Sequence, residues 1–134
     1  MITTCYLGIG SNLGNRRKNI KLAVKKINLL KDTQVLKLSR IIESSPIGGP
    51  LNQREFLNAA LKIRTELGPL SLLKNLKIIE RQIGRKRTVR FGPRPIDLDV
   101  LFYGERVLNN RKLTIPHPRI FERKFVTRPL LEIL

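Results

Sequence analysis

Asp97 and Asp99 stand two residues apart in an apolar run that ends at Tyr103, and the chain just before them reads RFGPR, carrying Arg90 and Arg94. On a strand, residues two apart share a face and lie roughly 6.5–7 Å apart along it. Two carboxylates held that close repel each other unless positive charge stands between them. Two sources of that charge are open. One is the guanidinium groups of Arg90 and Arg94, which would make the pair a surface strand with salt bridges. The other is magnesium, which takes carboxylate oxygens together with substrate phosphates and would make the pair a site for metal and polyphosphate.

The segment from Gly84 to Arg94 widens the choice in the same way. Arg85, Lys86, Arg87, Arg90 and Arg94 fall within it, and glycine and proline bound it. Such a run is either a solvated basic loop or a flexible phosphate clamp, and arginine suits the clamp because its planar fork grips phosphate oxygens in pairs.

The elements that must position these groups can be read from periodicity. Cys5, Leu7 and Ile9 alternate on a first strand, followed by a Gly8–Gly14 turn. GIGSNLG resembles a dinucleotide fingerprint, but its third glycine comes one place late and no acidic residue ends a second strand; Asp32 falls in the turn before it. Ser11 and Asn12 are read instead as turn residues, and Asn15 as a helix cap. Ile20, Ala23, Val24, Ile27 and Leu30 make the apolar stripe of a first helix. Val35 to Glu43 reads as a second strand, and the stretch from Ser44 to Gln53 as a long loop able to bind or cover a ligand.

Phe56 to Glu66 reads as a third strand. Leu57, Ala59, Leu61 and Ile63 point one way; Phe56, Asn58, Ala60 and Lys62 point the other, so an aromatic and an amide share a face just after the long loop. Gly68-Pro69 opens a second helix with stripe Leu72, Leu76, Ile79 and Ile83, and Gly84 fits the position past its end. Glu80 lies near that end, against the helix dipole, and so calls for a specific partner. The fourth strand, Ile96 to Tyr103, is expected to bury Leu98, Val100 and Phe102. A helical turn is expected from Arg119 to Phe125. Strand, helix, strand, strand, helix, strand is the ferredoxin-like α+β order, βαββαβ, with a four-stranded antiparallel sheet, helices on one face and the other face free.

The 134 residues and 41% hydrophobic content fit one domain, 1–134. No apolar run is long enough to cross a membrane. The N-terminus lacks the basic head and apolar block of a signal peptide, so a cytoplasmic chain is expected. A lone cysteine, Cys5, excludes an internal disulfide framework, and a lone histidine, His117, excludes a histidine metal cluster. Lys+Arg 27 against Asp+Glu 10 gives +17, an excess that attracts nucleic acid, acidic lipid or a nucleotide triphosphate. Much of it, from Arg16 to Lys26, reads as one solvated helix face. A small basic RNA-binding module is the rival class. Against it stand an aromatic content of 5% and the lack of an aromatic-rich RNP1-like run.

The stretch RFGPRPIDLDVLFYG, with GIGSNLGN, EFLNAA, IERQIGR and LTIPHPRIFERKF, closely resembles the 6-hydroxymethyl-7,8-dihydropterin pyrophosphokinase family, from Tyr6 to the C-terminus. The resemblance implies a folate-pathway transferase that uses ATP and two magnesium ions to move a diphosphate group to the pterin hydroxymethyl oxygen, leaving AMP. It implies Asp97 and Asp99 as metal ligands, and these with Arg85 and Arg94 as the catalytic set. It implies Glu80, Arg85, Arg87, Arg94, Val100, Lys112, Thr114, His117 and Arg123 as nucleotide contacts. Phe56 and Phe125 would sandwich the pterin, with Asn58 and the segment Ser44, Ser45, Pro46 and Ile47 at its edge. Lys77, Lys112 and Pro118 depart from residue types found in relatives. The partners implied are the two small-molecule substrates, with no specific nucleic acid and no membrane, on a monomer.

Overall fold

The computed structural model describes residues 1–86 and 91–134. β1 (Thr3–Ser11) buries Cys5, Leu7 and Ile9, as the alternation requires. The strand continues through Gly8 and Gly10, which the sequence placed in a turn, because both pair directly with β4 (Phe56–Thr65): Gly8 opposite Ala60, Gly10 opposite Asn58. α1 (Arg16–Asn28) is capped by Asn15, whose side chain accepts from the Lys18 N–H at 3.1 Å. Ile20, Ala23 and Ile27 form its buried stripe.

The expected second strand is two strands. β2 (Thr33–Leu38) and β3 (Ile42–Ser44) pair one after the other along the same edge of β4. Between them, Ser39 takes over the ladder. Its N–H donates to the Ala60 carbonyl at 2.9 Å, and its Oγ accepts from the Ala60 N–H at 2.8 Å. A side chain thus replaces a strand partner, and the backbone is free to bend there. α2 (Pro69–Ile83) has proline at its first turn and ends on Gly84 at φ 110°, a left-handed cap that glycine adopts without strain.

β5 (Asp97–Tyr103) completes the sheet, whose order is β2-β4-β1-β5, all neighbours antiparallel, with β3 beside β4. This is the ferredoxin-like arrangement. α1 and α2 cover one face, and Leu7, Ile20, Ile27, Leu61, Leu72, Leu76, Leu98 and Val100 fill the space between. β6 (Leu108–Asn109) and β7 (Thr114–Ile115) form a small separate ribbon.

Two expectations are corrected. Phe102 is not on the helix-covered face. The ladder between β1 and β5 shifts between Tyr6 and Leu7, so that Leu7 pairs with Val100 and Tyr6 with Phe102. The extra residue, Leu101, is a bulge, and beyond it the alternation reverses. Phe102 then meets Tyr6 edge to face, with ring centroids 6.3 Å apart, while Tyr103 turns into the main core. The second face is also not free. The helical turn of the sequence reading is a short 3-10 turn, Ile120–Glu122, followed by a full helix, α3 (Lys124–Ile133). Ile120, Leu130 and Ile133 pack on Ala60 and Leu101 of the sheet. Pro129 reads as a breaker in sequence, since it removes one intrahelical donor. The burial of Leu130 and Ile133 around it outweighs that loss. No described helix is long and apolar enough to cross a membrane.

Candidate active site

α3 covers only part of the second face. The remainder, between α3, the loop after β3 and the C-terminal loops, is hollow. One pocket there, of about 150 Å³, is lined by Ser44, Ser45, Ile47, Phe56, Asn58 and Phe125, with Gly8 and Gly10 of β1 beneath. Pro46 lies in the same loop but does not line the pocket. Gly10 keeps the space open: a Cβ there would lie 3.4 Å from Phe56 Cδ1 and 3.3 Å from Asn58 Oδ1. Asn58 is buried, and its Nδ2 donates to Ser44 Oγ at 2.7 Å. Its Oδ1 has no hydrogen-bond partner among the described residues. Phe125 comes from the first turn of α3, with the Arg123 guanidinium 5.7 Å from its ring centre. With Phe91, which also lines it, the pocket has three phenylalanine rings and an amide edge, which suits a flat polar heterocycle.

A second, wider hollow of about 490 Å³ adjoins the first. Glu80, Arg85, Arg94, Val100, Lys112, Thr114, His117 and Arg123 all line it, along with Lys77 and Arg119. Of the nucleotide-contacting residues that the resemblance implied, Arg87 alone lies outside the described residues. Arg94, Asp97, Asp99, His117, Arg123 and Phe91 line both hollows, so the carboxylate pair stands at their junction.

At that junction Glu80 and Asp97 are paired with arginine. Arg85 Nη1 donates to Glu80 Oε2 at 2.6 Å and to Asp97 Oδ1 at 2.8 Å, and Arg94 Nη1 lies 3.4 Å from Asp97 Oδ2. The partner that Glu80 called for is thus Arg85, together with the Leu98 N–H, which donates to Glu80 Oε2 at 2.8 Å. Burial pushes the Glu80 carboxyl up, with Asp97 adding to the effect, while the Leu98 N–H and Arg85 oppose it. Burial alone would lower the Arg85 guanidinium, but Asp97 and Glu80 raise it above its ordinary value.

Asp99 has no such company. No cation or donor among the described residues bonds to it. Burial first, then the charges of Asp97 and Glu80, push its carboxyl up to about 7, against the weaker pull of Arg85 and Arg94. A carboxylate whose charge is disfavoured by burial and by two neighbouring carboxylates offers hard oxygen donors that would suit a divalent cation such as magnesium. His117 faces the same junction. Its Nδ1 accepts from the Arg119 N–H at 3.2 Å, so the proton of the neutral ring is on Nε2. Burial and the nearby Arg123 lower its pKa, Asp97 opposing.

Sequence reasoning passed over Phe91, Gly10 and Arg119. Phe91 has φ 56°, in the left-handed region, and a ring that packs against Gly48, whose added Cβ would lie 3.3 Å from it. An aromatic between a basic loop and Gly-Pro was the available signal. Gly10 could have been found from its alternation with Gly8 on a strand.

Comparison with known proteins identifies the family. The family model for 7,8-dihydro-6-hydroxymethylpterin-pyrophosphokinase (HPPK) matches residues 6–134. The 2-amino-4-hydroxy-6-hydroxymethyldihydropteridine pyrophosphokinases of Haemophilus influenzae and Bacillus subtilis are 43% and 41% identical. The matches cover 97% and 99% of this chain and 81% and 79% of theirs. The folic acid synthesis protein fol1 of Pneumocystis carinii is 47% identical over 96% of this chain, which spans only 17% of that longer protein. A solved HPPK-DHPS structure in complex with substrates superposes with a TM-score of 0.72 at 16% identity, covering 99% of this chain and 40% of that one, which supports the fold alone. On the family match and the relatives of similar length, the chain belongs to the HPPK family, the pyrophosphokinases of folate biosynthesis.

Proposed function

We propose that this chain transfers the terminal diphosphate of ATP to the hydroxymethyl oxygen of 6-hydroxymethyl-7,8-dihydropterin, leaving AMP, by direct in-line attack. The observation that carries this reading is the junction itself: a phenylalanine-lined pocket with an amide edge and a cation-lined hollow meet at one carboxylate pair. Phe56 and Phe125 hold the pterin faces, and Asn58, with the Ser44–Ile47 segment, holds its edge. Ser44 takes one of the two hydrogens on Asn58 Nδ2, which leaves the other hydrogen to donate and Oδ1 to accept at the ring edge.

Arg94 and Arg85 meet the phosphates, where their charge counters that spreading over the transferred group. Arg85 leaves Asp97 to do so. Lys112, Arg119 and Arg123 neutralise the rest of the triphosphate, and the Nε2–H of His117 donates to a phosphate oxygen. Asp97 and Asp99 would hold magnesium, in this reading two ions, and when bound the metal would supply positive charge to the reacting phosphate. No side-chain nucleophile is required. The one cysteine is buried in the main core, where burial pushes its thiol up to about 12.

Incubation with ATP, magnesium and the reduced hydroxymethylpterin tests the proposal. AMP and pterin diphosphate should form in equal amounts. ADP as the product would make the chain an ordinary kinase, and no turnover would sink the reading.

A further inference from the structure

Asn12 and Gln53 lie outside both hollows, yet their hydrogen bonds join the loops on either side of the junction. Asn12 is 1% exposed. Its backbone N–H donates to the Arg94 carbonyl at 3.0 Å, and its Oδ1 accepts from the Arg94 N–H at 2.7 Å. One residue thus satisfies both main-chain groups of Arg94 and extends the β1–β5 pairing past the ends of both strands. The Nδ2 of Asn12 donates to the Gln53 Oε1 and to the Arg54 carbonyl, each at 3.2 Å.

Gln53 carries the connection onward. Its Nε2 donates to the Phe91 carbonyl at 2.8 Å and to the Pro50 carbonyl at 3.2 Å. The loop closes tightly here: a Cβ on Gly49, at φ 75°, would lie 2.2 Å from the Phe91 oxygen. The segment that carries Ile47 on the ring side is therefore bonded, through two side-chain amides, to the segment that carries Phe91 and Arg94 on the phosphate side. Neutral amides suit this task, since each both donates and accepts and neither adds charge beside the arginines.

Resting on the proposed pyrophosphokinase reading, we infer that Asn12 and Gln53 are positioning residues that couple the pterin pocket to the triphosphate hollow, so that filling one orders the other. Neither residue touches substrate. They transmit position, and any such coupling is reciprocal between the two ligands.

Titration calorimetry tests this with magnesium and α,β-methylene-ATP, in which the bond to be broken is replaced, and with 6-hydroxymethyl-7,8-dihydropterin. Each ligand is titrated alone and then in the presence of the other. The parent should show the two ligands strengthening each other at least about 5-fold, the lower end of ordinary coupling. Gln53→Met removes the amide at similar length. Asn12→Asp keeps the oxygen that holds Arg94 but loses the donor to Gln53. In both variants the mutual strengthening should fall below about 2-fold, while each ligand alone binds within about 3-fold of the parent and the melting profile keeps its cooperativity. A general loosening of the fold would instead weaken both single-ligand affinities. If Asn12→Asp does not fold, Gln53→Met, at a half-buried position in the loop, decides alone. Undiminished coupling in Gln53→Met, or a parent in which the ligands bind independently, overturns the inference while leaving the pyrophosphokinase reading intact. A parent that does not bind the pterin even with the ATP analogue and magnesium present overturns both.

Discussion

At the scale of single residues, the carboxylate pair and the ring pocket make separable predictions. Asp97→Asn and Asp99→Asn each remove an anionic oxygen from the proposed metal site, so turnover should fall at least about 10²-fold, the scale of losing one major electrostatic contribution. Circular dichroism should be unchanged. Near-parental turnover at saturating magnesium would show that the pair does not hold metal. The ring pocket should respond differently. Phe125→Ala and Asn58→Ala should each weaken pterin affinity by roughly 1–3 kcal/mol, through a lost buried ring and a lost edge partner, while ATP affinity measured without pterin barely moves. Titration with pterin in the presence of the ATP analogue measures this, and intact affinity in both variants would place the pocket elsewhere.

Asp99 also gives a pH dependence. Its carboxyl titrates at about 7 in the folded chain against 3.8 for the ordinary aspartate. Between those values the folded chain holds a proton that the unfolded chain has released. Stability contributed at this position therefore declines as pH rises from about 4 through about 7. His117, held below its ordinary value, works in the opposite direction as pH falls, so the total curve mixes the two. Comparison with Asp99→Asn isolates the carboxylate. In magnesium-free buffer that variant should gain on the parent in urea melts as pH rises to about 8, and the gain should shrink toward pH about 4. A gap that does not change with pH would show that Asp99 ionises normally.

At the scale of elements, α3 both covers the sheet and carries Phe125. Leu130 is 5% exposed against Ala60 and Leu101. Leu130→Ala should cost about 2–5 kcal/mol in denaturant unfolding, the range for a truncated core leucine. Because α3 seats Phe125, the same change should raise the KM for pterin more than the KM for ATP. Equal effects on both would mean that α3 is only a cover. The basic segment before Phe91 belongs to this scale too, and Arg85 is its described anchor: it bonds to Glu80 and Asp97, so the expected phosphate arm starts from an ion-paired position.

At the scale of the whole molecule, +17 on 134 residues is a field that draws in polyphosphate. The same field attracts RNA, and the carboxylates at the junction of the two hollows give no matching anion site without metal. RNA binding should therefore be weak, without sequence preference, and lost steeply between about 50 and about 200 mM salt, as counterion release requires. Filter binding with several unrelated RNAs checks it. Tight, selective binding at the higher salt would favour the RNA-binding class.

Local rules carried the sequence a long way. Alternation placed Asn58 and Phe56 on one face, heptad-like spacing located α1 and α2, and Asn15, Pro69 and Gly84 marked their ends, because each depends only on neighbours a few residues away. The spacing of Asp97 and Asp99 suggested a shared charge problem for the same reason. Sequence periodicity stopped at Leu101, where one extra residue in β5 reverses the alternation and is visible only against the register of β1. It stopped again at α3, where a proline that argues against helix is outweighed by burial against strands more than 20 residues away, from Ala60 to Leu101. The meeting of the two hollows, an Asp99 carboxylate with no bonded partner among the described residues, and the Asn12–Gln53 connection belong to tertiary structure alone. They join residues from four separate stretches of chain, and no local propensity encodes which loops will face each other across a sheet.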